Sequence, residues 1–189
     1  MNLNMDSFDQ LGLPSFLIDT IEKLGYKEPT EVQAKAIPKA LEGSNIIGLS
    51  QTGTGKTAAF LLPIISNLSN GRSKARMPRS LVLCPTRELA AQVMENFENY
   101  SKNTKLTSAL LIGGVSFKDQ DKKLDRGVDI IIATPGRLLD QFERGKLMLT
   151  GVEFLAIDEA DKMLDMGFIP DITRILEALP RVKQKILFS

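Results

Sequence analysis

Histidine and tryptophan are absent from this chain, and cysteine occurs once. Without histidine there is no Ser–His or Cys–His catalysis and no zinc site of the common His-ligated kinds. The single thiol, Cys84, has no partner for an intramolecular disulfide. Its place in the apolar run "SLVLC" reads as a buried structural cysteine, suited to a reducing, cytoplasmic compartment. An excess of either charge is missing too: 24 Lys and Arg stand against 23 Asp and Glu, a net charge of +1. Any nucleic-acid contact must therefore come from a local patch rather than a globally basic field. The longest apolar stretch, "AAFLLPII", has only eight residues and contains Pro63, so no membrane span is expected. The start, "MNLNMDSFDQ", lacks the basic and apolar segments of a secretion signal.

What is present is a regular alternation. Short, continuously apolar runs recur at 45–49, 80–84, 107–112, 129–133, 154–157 and 185–188. Runs of this kind describe strands covered on both faces. Between them lie segments with helical spacing, such as Leu89, Val93, Phe97 and Tyr100, or Ile172, Ile175, Leu176 and Leu179. Strands alternating with helices imply right-handed crossovers and a mostly parallel α/β sheet, and 189 residues suit one such domain. Residues 1–42 read as a helical extension packed on a core formed by 43–189. Residues 69–79, "SNGRSKARMPR", read as a solvated loop carrying Arg72, Lys74, Arg76 and Arg79, with an RNA-facing role as the alternative.

Ligands bind such sheets beyond the carboxyl ends of the strands, where the unusual residues cluster. After the first run comes "SQTGTGKTAAF". Gly53 and Gly55 permit a tight turn with inward N–H groups, and Lys56 and Thr57 then open a helix with an electropositive start. This is a phosphate cradle: Lys56 would reach the β- and γ-phosphates and the Thr57 hydroxyl would ligate Mg²⁺. The pattern G-x-x-x-x-G-K-[ST] is met except at its first position, where Ser50 stands. The run "FLAI" ends in Asp158, Glu159 and Asp161, three acids that repel one another unless a positive group sits nearby. Asp158 would hold the same Mg²⁺ through water, and Glu159 would orient and deprotonate an attacking water.

With the cradle and "DEAD" (158–161) both in view, the chain resembles the DEAD-box family of ATP-dependent RNA helicases, specifically their first RecA-like domain. "SQTGTGKT", with Ser50, Gln51, Thr52, Gly53, Thr54, Gly55, Lys56 and Thr57, is similar to the family's motif I apart from Ser50, where Ala is usual. Phe8 and "GYKEPTEVQ" resemble the adenine-reading Q motif. That likeness implies a nucleotide contact at Phe8, stacking by Tyr26 and hydrogen bonding to adenine by Gln33. "PTRELAAQ" is similar to motif Ia, Gly113 and Gly114 with Gln120 to the GG motif, "TPGR" to motif Ib, and "DMGF" to the stretch that usually follows motif II. Ser189 matches the first residue of "SAT". The resemblance assigns Asp161 and Ser189 to coupling between domains.

The resemblance implies ATP and Mg²⁺ as cofactors and RNA held by its backbone. For the RNA it points to Pro85, Thr86, Arg87, Gly113, Gly114, Thr134, Pro135, Gly136 and Arg137. Thr134 and Pro135 also read independently as a capped helix start whose free N–H groups, with Arg137, can hold a phosphate. A second RecA-like domain, supplying arginine fingers and closing on ATP and RNA, is implied but has no room within these residues. The chain alone is accordingly expected to be a monomer that binds nucleotide and turns it over slowly. A GTPase or small kinase shares the cradle, but no [NT]-K-x-D tetrapeptide is present. A DNA translocase and a non-catalytic RNA-binding module remain as alternatives.

Overall fold

The computed structural model describes residues 7–71 and 77–189. All six apolar runs form strands: β1 (Ile46–Gly48), β2 (Ser80–Leu83), β3 (Ser108–Leu111), β4 (Ile130–Ala133), β5 (Phe154–Ile157) and β6 (Gln184–Phe188). They make one sheet in the order β1-β6-β5-β2-β4-β3 with every pairing parallel. Crossover helices α3 (Lys56–Ser69), α4 (Arg87–Tyr100), α5 (Phe117–Arg126) and α6 (Pro135–Glu143) link the earlier strands, and α7 (Ala160–Asp165) and α8 (Ile169–Glu177) join β5 to β6. A 3₁₀ turn at Phe8–Leu11, α1 (Ser15–Lys23) and α2 (Glu31–Leu41) precede β1. No helix among the described residues is long and apolar enough to cross a membrane.

The alternation of side chains along the strands gives two cores, one on each face. Val82, Cys84, Ile132, Ala156 and Phe188 point to one face, where α3 and α4 supply Phe60, Leu61, Ile64, Val93 and Phe97. Leu11, Leu17, Ile21 and Ile37 from the N-terminal helices enter this same cluster. Leu81, Leu83, Leu111, Ile131 and Leu155 point to the other face and pack against Leu138, Met163 and Ile175. Cys84 is fully buried, and burial first, then the acids Asp158 and Glu159, push its thiol well above the usual range. This inert thiol agrees with the sequence reading.

Two expectations need correction. The first run was read as covered on both faces, yet Ile47 is 79% exposed and Leu49 82%. β1 stands at the sheet edge with β6 as its one neighbour, so only its Ile46 and Gly48 side packs. Arg79, read as part of a solvated loop, is instead mostly buried, donating to Leu68 O (2.8 Å) and Asp129 Oδ1 (3.0 Å). Asp129 also accepts from Thr107 N–H, so a pair remote in sequence ties α3 to β4 and the start of β3. Arg72, Lys74 and Arg76 lie outside the described residues.

The edge strand has little tolerance on its packed side. A Cβ at Gly48 would overlap the ring of Phe188, itself 1% exposed and packed against Phe60. We expect Gly48→Ala to cost about 1–3 kcal/mol of stability, the usual range for overpacking. It should appear as a lowered midpoint in urea unfolding; an unchanged midpoint would show that Phe188 repacks freely.

Candidate functional site

The phosphate loop runs from the end of β1 to the start of α3. Gly53 (φ +82°) and Gly55 (φ +84°) occupy the left-handed region, which turns the chain so that Gly55 caps α3. The first N–H groups of α3 are thereby left for a ligand, and its dipole favours an anion. Lys56 donates from Nζ to Ser50 O at 3.0 Å, so its ammonium lies across the loop mouth.

Helix α2 pins this loop. Thr30 and Gln33 form a capping box: Thr30 Oγ1 accepts from Gln33 N–H and Gln33 Oε1 accepts from Thr30 N–H. Both side chains also donate onto the loop, Thr30 Oγ1 to Thr54 O (2.7 Å) and Gln33 Nε2 to Gly55 O (3.2 Å). A Cβ at Gly55 would collide with the Gln33 amide. Gln33 is 2% exposed, so in this conformation it is a strut between α2 and the loop. One amide N–H and one carbonyl lone pair remain uncommitted. Tyr26 is half-buried, edge-on to Phe8 and Tyr100, and its hydroxyl shares a 2.6 Å hydrogen bond with that of Tyr100. Burial, then Tyr26, pushes the Tyr100 hydroxyl upward. Phe8, expected at the nucleotide, is only 3% exposed and supports Tyr26 from the core.

The acids stand at the end of β5. Asp158 is 3% exposed, and its Oδ1 is buried without a hydrogen-bond partner. Burial raises its carboxyl to about 6, against the pull of Lys56. Glu159 is the one non-glycine residue among those described with positive φ (+51°). A left-handed conformation costs an L-residue about 1–2 kcal/mol. Its carboxylate is held by Lys162 Nζ at 2.7 Å. Asp161 is exposed; the Ser189 hydroxyl, followed by the Lys162 backbone, holds its carboxyl below the usual range. Ser189 N–H in turn donates to Gly48 O and its carbonyl accepts from Ser50 N–H, which wedges Ser189 beside the phosphate loop. Among the described residues no three acids, cysteines or histidines converge. The donor set of one orphaned buried carboxylate and the Thr57 hydroxyl therefore fits a hard cation that takes its other ligands from phosphate and water.

A groove of about 480 Å³ lies along the neighbouring strand ends, walled by Pro85, Thr86, Arg87, Gly113, Thr134, Gly136 and Arg137. Thr86 caps α4 through Leu89 N–H, whereas the Thr134 side chain makes no cap bond at α6. Arg87 is exposed and reaches Gly113 O at 3.4 Å. A Cβ at Gly114, whose φ is +79°, would come within 2.6 Å of the Arg87 guanidinium. Pro135 is buried beneath this wall. Arg137 departs from expectation: its side chain is 12% exposed, donates to Val115 O (3.0 Å) and stacks 4.0 Å from the Phe117 ring. Its guanidinium fixes the glycine loop rather than standing free for a phosphate. The sequence reading gave no binding role to Glu88, Asp140, Met166 and Phe168, which also line the groove. Phe168 adds an aromatic ring to the lining; "DMGF" marks its position in the sequence but not its direction. A larger cavity, about 860 Å³, lies at the opposite edge between Leu106, Val128 and Arg126 and contains none of these residues.

The family model for the DEAD/DEAH box helicase matches residues 30–189. The chain is 45% identical to a probable ATP-dependent RNA helicase of Dictyostelium discoideum over 98% of its own length and 24% of that protein. It is 46% identical to an ATP-dependent RNA helicase of Buchnera aphidicola, covering 97% of this chain and 30% of that one. Among solved structures it resembles a DEAD box protein from Methanococcus jannaschii with a TM-score of 0.90 and 38% identity, over 97% of this chain and 50% of the other. The chain thus spans a quarter to a third of these curated relatives.

Asp158 should make the stability of the chain depend on pH. Its folded value of about 6 lies above the ordinary 3.8, so between those values the native state binds more protons than the unfolded chain. Stability should fall as pH rises through that window, by at most about 3 kcal/mol. Asp158→Asn should flatten this slope in urea melts from about pH 4 to 7; an equal slope in the variant would remove Asp158 as the cause.

Proposed function

The chain belongs to the DEAD/DEAH box helicase family, and on that premise we propose that it is the nucleotide-binding domain of an ATP-dependent RNA helicase. It holds Mg·ATP at the phosphate loop and one RNA strand along the adjoining groove. The observation that carries this reading is the pairing of a glycine-turned helix N-terminus with the unpartnered Asp158 oxygen at the carboxyl edge of one parallel sheet.

On this reading the diphosphate lies on the N–H groups of α3, and Lys56 exchanges Ser50 O for a phosphate oxygen. Asp158 and Thr57 would hold Mg²⁺, which supplies positive charge against the phosphate oxygens when bound. Glu159, aimed by its left-handed backbone and by Lys162, accepts the proton of the attacking water. Adenine is read by the uncommitted N–H and lone pair of Gln33, whose donor–acceptor pattern matches N7 and N6 of that base, once the α2 cap loosens enough to expose them. Tyr26 offers the ring beside it. The RNA backbone meets the N–H groups at the start of α6 with Thr134, together with Arg87, without reading sequence. A second domain of the same protein completes the site, so this chain alone hydrolyses ATP slowly. The buried, unpaired Cys84 supports a cytoplasmic location.

Calorimetric titration of the chain should show Mg·ADP binding at least about tenfold more tightly than Mg·GDP, a gap of about 1.4 kcal/mol. Equal affinities would retain the phosphate site and remove the adenine reading; binding of neither would sink the proposal. In single-turnover assays, Glu159→Gln should keep Mg·ATP affinity within about twofold while hydrolysis drops at least about a hundredfold, the scale of a lost general base. Unchanged hydrolysis in the variant would exclude Glu159 from that role.

A further inference from the structure

Ser50 occupies the position where the phosphate-loop pattern has glycine, and its hydroxyl is committed. Thr54 Oγ1 donates to Gln51 O at 2.7 Å, so the single proton of that hydroxyl is spent. The 2.9 Å contact between Ser50 Oγ and Thr54 Oγ1 is then a hydrogen bond donated by Ser50. The result is a directed relay, Ser50 O–H to Thr54 O–H to Gln51 O, closed across the loop. A third contact holds the same residue from outside, since Thr54 O accepts from Thr30 Oγ1. Glycine at position 50 could not supply the first link.

The rest of Ser50 is equally fixed. Its N–H donates to Ser189 O, and its carbonyl accepts from Lys56 Nζ. The hydroxyl therefore extends from a strand end that the sheet already holds and reaches the middle of a loop whose far side α2 holds through Thr30 and Gln33. A hydrogen bond anchored at one end to the sheet restricts the other end, and hydroxyls in series polarise one another.

We propose that Ser50 is a positioning residue: its hydroxyl holds the phosphate loop in its ligand-receiving shape before a nucleoside diphosphate arrives. This rests on reading the loop as the nucleotide site. Preorganising the loop lowers the ordering cost of binding. Loss of the relay therefore weakens the diphosphate through the shape of the loop, leaving Lys56 and the N–H groups of α3 chemically unchanged.

The test uses Ser50→Ala, Thr54→Val, Thr54→Ser and the Ser50→Ala/Thr54→Val pair. In the nucleotide-free chain, hydrogen exchange of the amides at 52–55 should quicken in Ser50→Ala and Thr54→Val and stay near wild type in Thr54→Ser. Mg·ADP affinity should fall about three- to tenfold in Ser50→Ala, the range of one net hydrogen bond. The double variant should lose no more than Thr54→Val alone, because either change breaks the relay. Unaltered loop exchange in Ser50→Ala, or losses that simply add, would overturn the proposal. Failure of the wild-type chain to bind Mg·ADP would defeat the nucleotide reading separately, and the exchange measurement would still decide the role of Ser50.

Discussion

A carboxylate buried at the end of a central strand is the constraint around which this molecule is arranged. Asp158 is forced inward because β5 lies between β2 and β6 and its residues pack on both sides. Its Oδ1 meets no donor, and leaving such a group unpaired is costly. Besides Lys162 on α7, the nearby positive elements are the ammonium of Lys56 and the open N-terminus of α3, both carried by the loop after β1. The parallel register delivers them: β6 stands between β1 and β5, so the ends of all three strands meet at one edge. Natural sequences concentrate such unfavourable local choices at functional sites, and Glu159, in its left-handed backbone beside Asp158, is a second instance.

The same edge carries a stiffer framework farther along. Gln141 is fully buried and donates from Nε2 to Gln120 Oε1 and Asp121 Oδ1. Arg144 joins Asp121 and Gln141, and the guanidiniums of Arg137 and Arg144 lie 4.0 and 4.1 Å from the Phe117 ring. Gln120 also bonds Ile112 O, the backbone at the end of β3. Buried polar groups satisfied this fully specify one arrangement of their elements. Here they set the glycine loop at 113–115 against the start of α6, which forms one wall of the groove.

Strands and phosphate loop were legible because their signals are local. Apolar runs of four to six residues mark the strands, and the spacing of Gly53, Gly55, Lys56 and Thr57 states a loop followed by a helix. The contacts that the sequence did not announce share a cause of the opposite kind. Arg79 is paired with Asp129, Gln33 with Gly55, and Arg137 with Val115, each partner at least 22 residues away. No periodicity announces such a pair, so each side chain looked free in the sequence. Phe8 was placed with the nucleotide by resemblance, while its burial depends on the packing of Tyr26 and the N-terminal helices. The exposure of Ile47 follows from strand order, which runs of apolar residues do not encode.

On the proposed reading, Asp158 and the Thr57 hydroxyl at the start of α3 would hold one cation. The most direct measurement is paramagnetic broadening of backbone amide signals by substoichiometric Mn²⁺ in the presence of ADP. Signals of Thr57, Asp158 and their immediate neighbours should disappear first, and Asp158→Asn should abolish the effect. Broadening centred elsewhere, or undiminished in that variant, would contradict the account.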